Sequence, residues 1–510
     1  MSSTLTNGMM SLQEAALATH GSTSQGERRF TGVSTDTRTL VAGELFIALR
    51  GEHFDGHEFV AQVLAQGENA AAAAMVDAAW AERHAAALPP DSPLLVVADT
   101  RLALGDLAAF WRGKFSLPLI GVTGSNGKTT VKEMCAAILR AQARLDGIDA
   151  PAAAKASVLA TVGNLNNDIG LPLMLLRLRG THRAAVIEMG MNHPGEIAYL
   201  SKIARPTVAV INNAQRAHLE GLGGVSAVAH AKGEILAGLM PDGIAVINAD
   251  DPHADLWREL SAQHSILSFG LTQPADVSAS YTLLPFGSLL KLSTPRGESR
   301  NEVMLNLPGV HNVRNALAAT AATLAAGASL DGVVAGLSEF AGIKGRLQRK
   351  PAINGALLID DSYNANPDSM RAAIEVLAAL PGRKIFVLGD MGEVGERAGQ
   401  FHDEIGGYAK SMGVDILLAL GEHAAAAVRN FDGGAEHFKN VDALLHVLRP
   451  LLDANTTVLV KGSRFMKMER VAEAIYAPCV PCAPCAPEGT EGTEGSLAQD
   501  GKQGIAGDSS

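Results

Sequence analysis

With 47% hydrophobic and 19% charged residues among 510, the chain has the apolar content to bury large cores, which excludes wholesale disorder. Its length suits about three domains. A net charge of −11 argues against nucleic acid or an anionic membrane as the main partner, since both call for a basic surface. Residues 1–22 lack a basic stretch followed by an apolar run, and no uncharged apolar run reaches membrane-spanning length. The protein is therefore expected to be cytoplasmic, neither secreted nor membrane-inserted.

Three blocks follow in chain order. Residues 1–115 mix short strands with alanine-rich helices. Residues 116–340 alternate apolar strands with helices, the strands being predicted at Leu119–Thr123, Ala184–Glu188, 207–212 and Ile244–Asn248. Residues 341–478 alternate again, with strands predicted at 356–360, 384–389, 415–420 and 457–461. Short apolar strands alternating with helices imply mostly parallel sheets in both later blocks. Residues 479–510 are rich in Gly, Pro, Glu and Ser and are expected to form a disordered tail. Within it Cys479, Cys482 and Cys485 make a C-x-x-C-x-x-C. The spacing is compatible with a metal or redox role, but no fourth ligand is near and the context is disordered, so the segment reads as an unliganded tail. Cys135 reads as a small core residue of a helix.

The stretch 118-PLIGVTGSNGKTTVKEM-134 passes from strand to helix through a glycine-rich loop. The common phosphate-loop template, G-x-x-x-x-G-K-[ST], would place glycine at 122, and the chain has Val122. Gly124, Ser125, Asn126 and Gly127 still give the arrangement in which backbone N–H groups and a helix N-terminus surround a phosphate. Lys128 would reach the β- and γ-phosphates, and the Thr129 hydroxyl would hold Mg²⁺. Strand after strand in this block ends in a polar residue: Thr123, Glu188, Asn212 with Asn213, then Asn248 with Asp250. Ligands of parallel α/β sheets bind outside the carboxyl ends of the strands. Glu188 closes an apolar strand, where a carboxylate needs a partner, and Mg²⁺ fits a hard oxygen ligand.

Further candidates follow. His218 and Lys232 occupy 211-INNAQRAHLEGLGGVSAVAHAKGEI-235. An ordinary satisfied histidine and a solvated lysine remain open there on pattern alone. His311, Asn312 and Asn315 open a helix and share one face. Asparagine amides can bond a purine edge or simply cap the helix. Arg346 could reach phosphate and Asp361 ribose hydroxyls; each also has a reading as turn or surface chemistry.

Taken together these segments resemble the Mur ligase family, the ATP-dependent amide-forming enzymes of peptidoglycan synthesis. The resemblance covers most of residues 30–475. It rests on 124-GSNGKT-129, which is that family's own shorter phosphate loop, and on 309-GVHNVRNA-316 and 345-GRLQ-348 in the same order. Four segments look like the branch that joins D-alanyl-D-alanine to UDP-N-acetylmuramoyl-tripeptide: 163-GNLNNDIGLPL-173, 359-IDDSYNANPDS-369, 388-LGDMGEVGE-396 and 461-KGSR-464. Asp168 stands where that branch more often has glutamate. The Asp-Asn-Pro-Arg motif of the sister ligase that adds the third amino acid is missing. Residues 34–59 resemble the UDP-binding domain shared by the two.

The resemblance implies an α/β fold of three domains. These are a UDP-sugar-peptide-binding N-terminal domain (1–115), a central P-loop ATPase-type domain (116–340) and a Rossmann-like C-terminal ligase domain (341–478). It implies that ATP phosphorylates the terminal carboxylate of the tripeptide and that the dipeptide amine attacks the acyl phosphate. Lys128 and Thr130 would bind phosphates, and Thr129 and Glu188 one Mg²⁺. His218 and a carbamylated Lys232 would serve a second ion. Asn312 and Asn315 would face adenine with His311 near by, Arg346 phosphate, and Asp361 the ribose. Thr35, Asp36, Thr37 and Arg38 would touch the UDP-sugar, and Asn364 and Asn366 the dipeptide. A monomer is expected, with no nucleic-acid partner. Competing readings are another ligase of the family, a folylpolyglutamate synthase, or a nucleotide-gated binding protein. The set Lys128, Glu188, His218 and Lys232 speaks against the last.

Overall fold

The computed structural model describes residues 8–65 and 70–478. The expected tail, with Cys479, Cys482 and Cys485, lies outside the described residues. Three parallel sheets carry the described chain. The first is short and orders Val33–Ser34, Leu45–Ile47, Ala73–Asp77 and Leu94–Val97. The second has six parallel strands, in the order Ser265–Phe269, Ile244–Asn248, Val208–Ile211, Leu119–Thr123, Ala184–Glu188, Val158–Ala160. The third orders Gln348–Pro351, Leu357–Asp361, Thr456–Lys461, Arg383–Gly389, Ile416–Leu420 and Ala435–Phe438. It is parallel except for its first edge strand.

All eight strands expected in the second and third sheets form, within about a residue at each end. Their apolar runs are buried on both faces, as sheets covered by helices require. In the central sheet Ile120, Val122, Val186, Val208 and Val210 pack toward the helices Lys128–Leu145 and Val310–Ala325. Leu119, Ala185, Ile187, Ala209 and Ile211 pack on the opposite face. That period of two places Val122 fully in the core. A glycine there would leave a hole beneath the loop, so the missing template glycine is a packing residue.

Beside the expected parallel sheet of the central block, residues 278–305 add an antiparallel sheet that the sequence reading did not pick out: Ser278–Leu284, Gly287–Thr294, Gly297–Glu298 and Val303–Leu305. Leu290, Leu292, Val303 and Leu305 plug one of its faces into the central core, while much of Ser278–Leu284 stays exposed.

The sheets are joined unequally. The helix Thr100–Arg112 shares one continuous apolar core with the central sheet. Two buried bonds reinforce it: Trp111 Nε1 donates to the Leu178 carbonyl (3.1 Å) and Arg112 Nε to that of Ala204 (3.0 Å). The third sheet instead has cores of its own on its two faces. Among the described residues, only the partly buried Leu219 and Phe286 reach those cores from outside residues 341–478.

Candidate active site

In the central sheet the first strand, Leu119–Thr123, lies between strands that follow it in sequence, so the chain leaves it to one side and later returns to the other. The crevice outside such a reversal is where open α/β sheets bind ligands. A cleft of about 1420 Å³ opens there, bounded by the glycine-rich loop, the central strand ends, the helix Val310–Ala325 and residues 343–373.

Gly127 sits at φ 80° and caps the helix Lys128–Leu145. A Cβ on it would stand 2.5 Å from Asn212 Nδ2 and closer still to Asn315 Oδ1. Only glycine meets both the left-handed backbone and the close approach. The loop is braced from the next strand end. Asn126 N–H donates to Asn213 Oδ1 (2.8 Å), Gln215 N–H to Ser125 Oγ (2.9 Å), and Asn126 Nδ2 to Gln215 Oε1 (2.6 Å). Lys128 is partly buried and its Nζ donates to the carbonyls of Gly124 (2.7 Å) and Ser125 (3.3 Å). Burial lowers its pKa; the charge of Glu188 opposes that and Arg346 adds to it.

Thr129 is the junction of the site. Its hydroxyl donates to Glu188 Oε2 (2.9 Å) and accepts from Arg346 Nη2 (3.0 Å). The other Glu188 oxygen accepts from Asn166 Nδ2 (2.8 Å). This buried carboxylate is thus bonded by neutral donors. Arg346 also lies 4.4 Å from the Tyr363 ring centroid, a cation–π distance. Thr130, in the first helical turn, is buried and lines the cleft.

Lys232 is fully buried in the helix Val225–Gly233, and its Nζ has no hydrogen-bond partner. Desolvation first, then the charge of Lys128, pushes its pKa well down. An ammonium without a partner in such a place is costly, so the neutral amine is favoured. His218 adopts φ 56°, and its Nδ1 lies 2.9 Å from Glu393 Oε2 across the cleft.

Asn312 and Asn315 are buried and bonded in series. Asn212 Nδ2 donates to Asn315 Oδ1 (3.1 Å), Asn315 Nδ2 to Asn312 Oδ1 (3.1 Å), and Asn312 Nδ2 to the Pro308 carbonyl (2.8 Å). Their amides thus buttress the loop at Gly127. His311 lines the same wall; burial, with Lys461 and Arg314, lowers its pKa to about 4, which leaves it neutral at pH 7. Asp361 and Lys461 are register partners on adjacent parallel strands, and Lys461 Nζ bonds Asp361 Oδ2 at 2.6 Å. Leu347 N–H takes the other Asp361 oxygen (3.1 Å).

Asn364 lines the cleft, and its carbonyl accepts from Lys461 Nζ (2.9 Å). Asn366 caps the helix Pro367–Ala378, and its Nδ2 donates to Asn126 Oδ1 (2.7 Å). Thr35, Asp36, Thr37 and Arg38 follow a strand end of the first sheet but lie outside the cleft lining. Arg38 bonds Asp36 at 2.7 Å and lowers its pKa to about 2. Sequence reading passed over Asn166, Gln215, Arg216, Lys461 and Glu393 as site residues. The polar strand ends were the signal for the segment that carries Gln215 and Arg216.

Three family models match the chain: "Mur ligase family, catalytic domain" over residues 29–112, "Mur ligase middle domain" over 122–323 and "Mur ligase, glutamate ligase domain" over 345–464. The UDP-N-acetylmuramoyl-tripeptide–D-alanyl-D-alanine ligase of Escherichia coli (strain K12) is 42% identical over 450 residues, covering 87% of this chain and 93% of that one. A crystal structure of MurF from Acinetobacter baumannii superposes with a TM-score of 0.81 at 41% identity, over 91% of this chain and 98% of its own. MurF ligase from Thermotoga maritima in complex with ADP gives 0.73 at 28% identity, over 87% and 96%.

Proposed function

The chain belongs to the Mur ligase family, and from that premise we propose how its cleft works. It is an ATP-dependent ligase that joins D-alanyl-D-alanine to UDP-N-acetylmuramoyl-tripeptide. The γ-phosphoryl of ATP passes to the tripeptide carboxylate, giving an acyl phosphate and ADP. The dipeptide amine attacks the acyl carbon, and the tetrahedral adduct expels phosphate as the amide forms. Carboxylate and amine do not condense unaided in water, so the protein's work is positioning and charge neutralisation.

The observation that carries this reading is the meeting at Thr129 of a phosphate-loop hydroxyl, the Glu188 carboxylate and the Arg346 guanidinium. Lys128, Thr130 and the N–H groups at the start of the helix Lys128–Leu145 bind phosphates beside the loop Gly124–Gly127, and Arg346 bonds the transferring group. His311, Asn312 and Asn315 form the adenine wall, with Asp361 toward the ribose. Asn364 and Asn366 face the dipeptide, and Thr35, Asp36, Thr37 and Arg38 the uridine end.

Mg²⁺ fits the donors present. Glu188 has no cationic bond partner and adjoins a hydroxyl. The described residues contain no group of three His, Cys, Asp or Glu able to hold a metal. Mg²⁺ needs few protein ligands, since it keeps several waters and takes substrate phosphates. Thr129 and Glu188 would hold one ion, and His218 with a carbamylated Lys232 a second; such ions supply positive charge against the phosphates. The unpartnered, neutral Lys232 amine is suited to take up CO₂, giving a carboxylate on a long arm. No described helix is long and apolar enough to cross a membrane. The nucleotide substrates favour work in the cytoplasm, and a cleft built from one chain needs only a monomer.

The test is phosphate release with UDP-N-acetylmuramoyl-tripeptide, with and without D-alanyl-D-alanine, against meso-diaminopimelate, lysine and glutamate as acceptors. Release that ignores every amine would refute the ligase reading. Lys232→Ala should be nearly inactive and partly rescued by a short carboxylic acid, and ¹³CO₂ should give the wild type a carbamate NMR signal. Absence of both rescue and signal would remove the carbamate.

A further inference from the structure

Arg216 follows the loop-bracing residues Asn213 and Gln215 and crosses to the third sheet's helices. Its Nε and Nη2 bond Asp368 Oδ1 (2.9 and 2.6 Å), and its backbone N–H donates to Asp368 Oδ2 (2.8 Å). Nη1 donates to Glu404 Oε2 at 2.8 Å, and the guanidinium lies 5.6 Å from the Phe401 ring centroid. Glu404 is held in turn by Arg371 at 3.2 Å. One side chain thus ties two helices of the third sheet, Pro367–Ala378 and Ala398–Ser411, to the central sheet. The pairing raises the Arg216 pKa against the effect of burial, so it stays charged.

This matters because of how the sheets are joined. The first and central sheets share an apolar core, whereas the third is attached mainly through polar contacts. Hydrogen-bonded charge pairs are directional and can break and reform, as a hinged closure needs. We propose that Arg216 is the latch that holds the third-sheet domain closed over the phosphate loop. It is a positioning residue: it sets the Arg346 guanidinium and the Asn364–Asn366 segment against the loop without touching the reacting atoms. The partner is this chain's own carboxylate pair, Asp368 and Glu404. Its effect on turnover rests on the ligase reading above; its effect on shape does not.

The experiment uses the full chain with Mg²⁺ and a non-hydrolysable ATP analogue, measuring radius of gyration by small-angle X-ray scattering, thermal midpoint, and kcat and KM. Arg216→Ala should enlarge the radius and lower kcat about tenfold, the size of one charge-pair coupling, and it should reduce the midpoint rise given by the nucleotide while changing the nucleotide-free midpoint little. KM for the UDP-tripeptide should hold, since that side of the cleft has its own core. Arg216→Lys, which keeps charge but not the fork, should recover part of both. Arg216→Ala with Asp368→Asn should be no worse than either change alone. If Arg216→Ala does not fold, Asp368→Asn carries the same expectation. Wild-type radius and kcat in these variants would overturn the latch. A larger radius in Arg216→Ala together with a wild type that releases no phosphate would overturn the ligase reading and leave the latch standing.

Discussion

Gly127 is the position where the loop tolerates least. At φ 80°, a side chain there costs about 1–2 kcal/mol from backbone strain alone. Its Cβ would also displace the amides of Asn212 and Asn315, which are bonded to each other. Gly127→Ala should therefore weaken ATP-analogue binding more than tenfold, read by calorimetry, with a lowered thermal midpoint; unchanged affinity would show that the loop does not cradle phosphate. His311 makes a pH prediction. Burial, with Lys461 and Arg314, moves its pKa from 6.5 to about 4. The unfolded chain takes up this proton at higher pH than the folded one, so stability rises with pH across that window and is lost as pH falls through it. The effect is at most ~3 kcal/mol. His311→Gln should flatten urea-measured stability between pH 4 and 6.5, and an unaltered slope would remove His311 as its source.

At the scale of elements, the helix Pro367–Ala378 is tied down at the residue that caps its start. Asn366 caps it through Ser369 N–H in a reciprocal capping box, and the same side chain exchanges amide bonds with Asn126 in the loop. The two roles separate by substitution. Asn366→Ala should cost about 1 kcal/mol of stability and also turnover. Asn366→Ser keeps a good cap, so the midpoint should return while turnover stays low. Full activity in the serine variant would reduce Asn366 to a cap. What sequence could and could not show divides along the same line. The buried parallel strands were legible because they are short, nearly continuous apolar runs containing Val and Ile between turns, as Ala184–Glu188 and Ile244–Asn248 show. Ser278–Leu284 was not, because exposure on most of its length gives it a polar, loop-like composition. The loop and its Lys-Thr pair were legible because their chemistry is local in sequence. Arg216 was not: its carboxylates lie 152 and 188 residues away, and nothing beside it announces them.

For the whole molecule, the consequence of a cleft walled by two separately cored units is that a ligand filling it must also join them. A nucleotide with Mg²⁺ bonded to the loop on one side and to Arg346 on the other stabilises only the closed, folded chain. By mass action the gain is about 2.7 kcal/mol at a ligand concentration 100 times Kd. The ATP analogue with Mg²⁺ should therefore raise the thermal midpoint clearly, and a chelator added before the nucleotide should remove most of that rise. The reason is that Glu188 and the phosphates, both anionic, would then face each other without an intervening cation. Lys128→Ala should lose most of the rise even with Mg²⁺ present, because the loop lysine supplies charge to the phosphates and packs little. Glu188→Gln separates the two contributions: it removes the repulsion together with the metal ligand, so its midpoint should respond to nucleotide but hardly to the chelator. A midpoint shift that is indifferent to chelation in the wild type would mean that Thr129 and Glu188 hold no ion, and the Thr129–Glu188–Arg346 junction would then have to be read as a hydrogen-bonded brace alone.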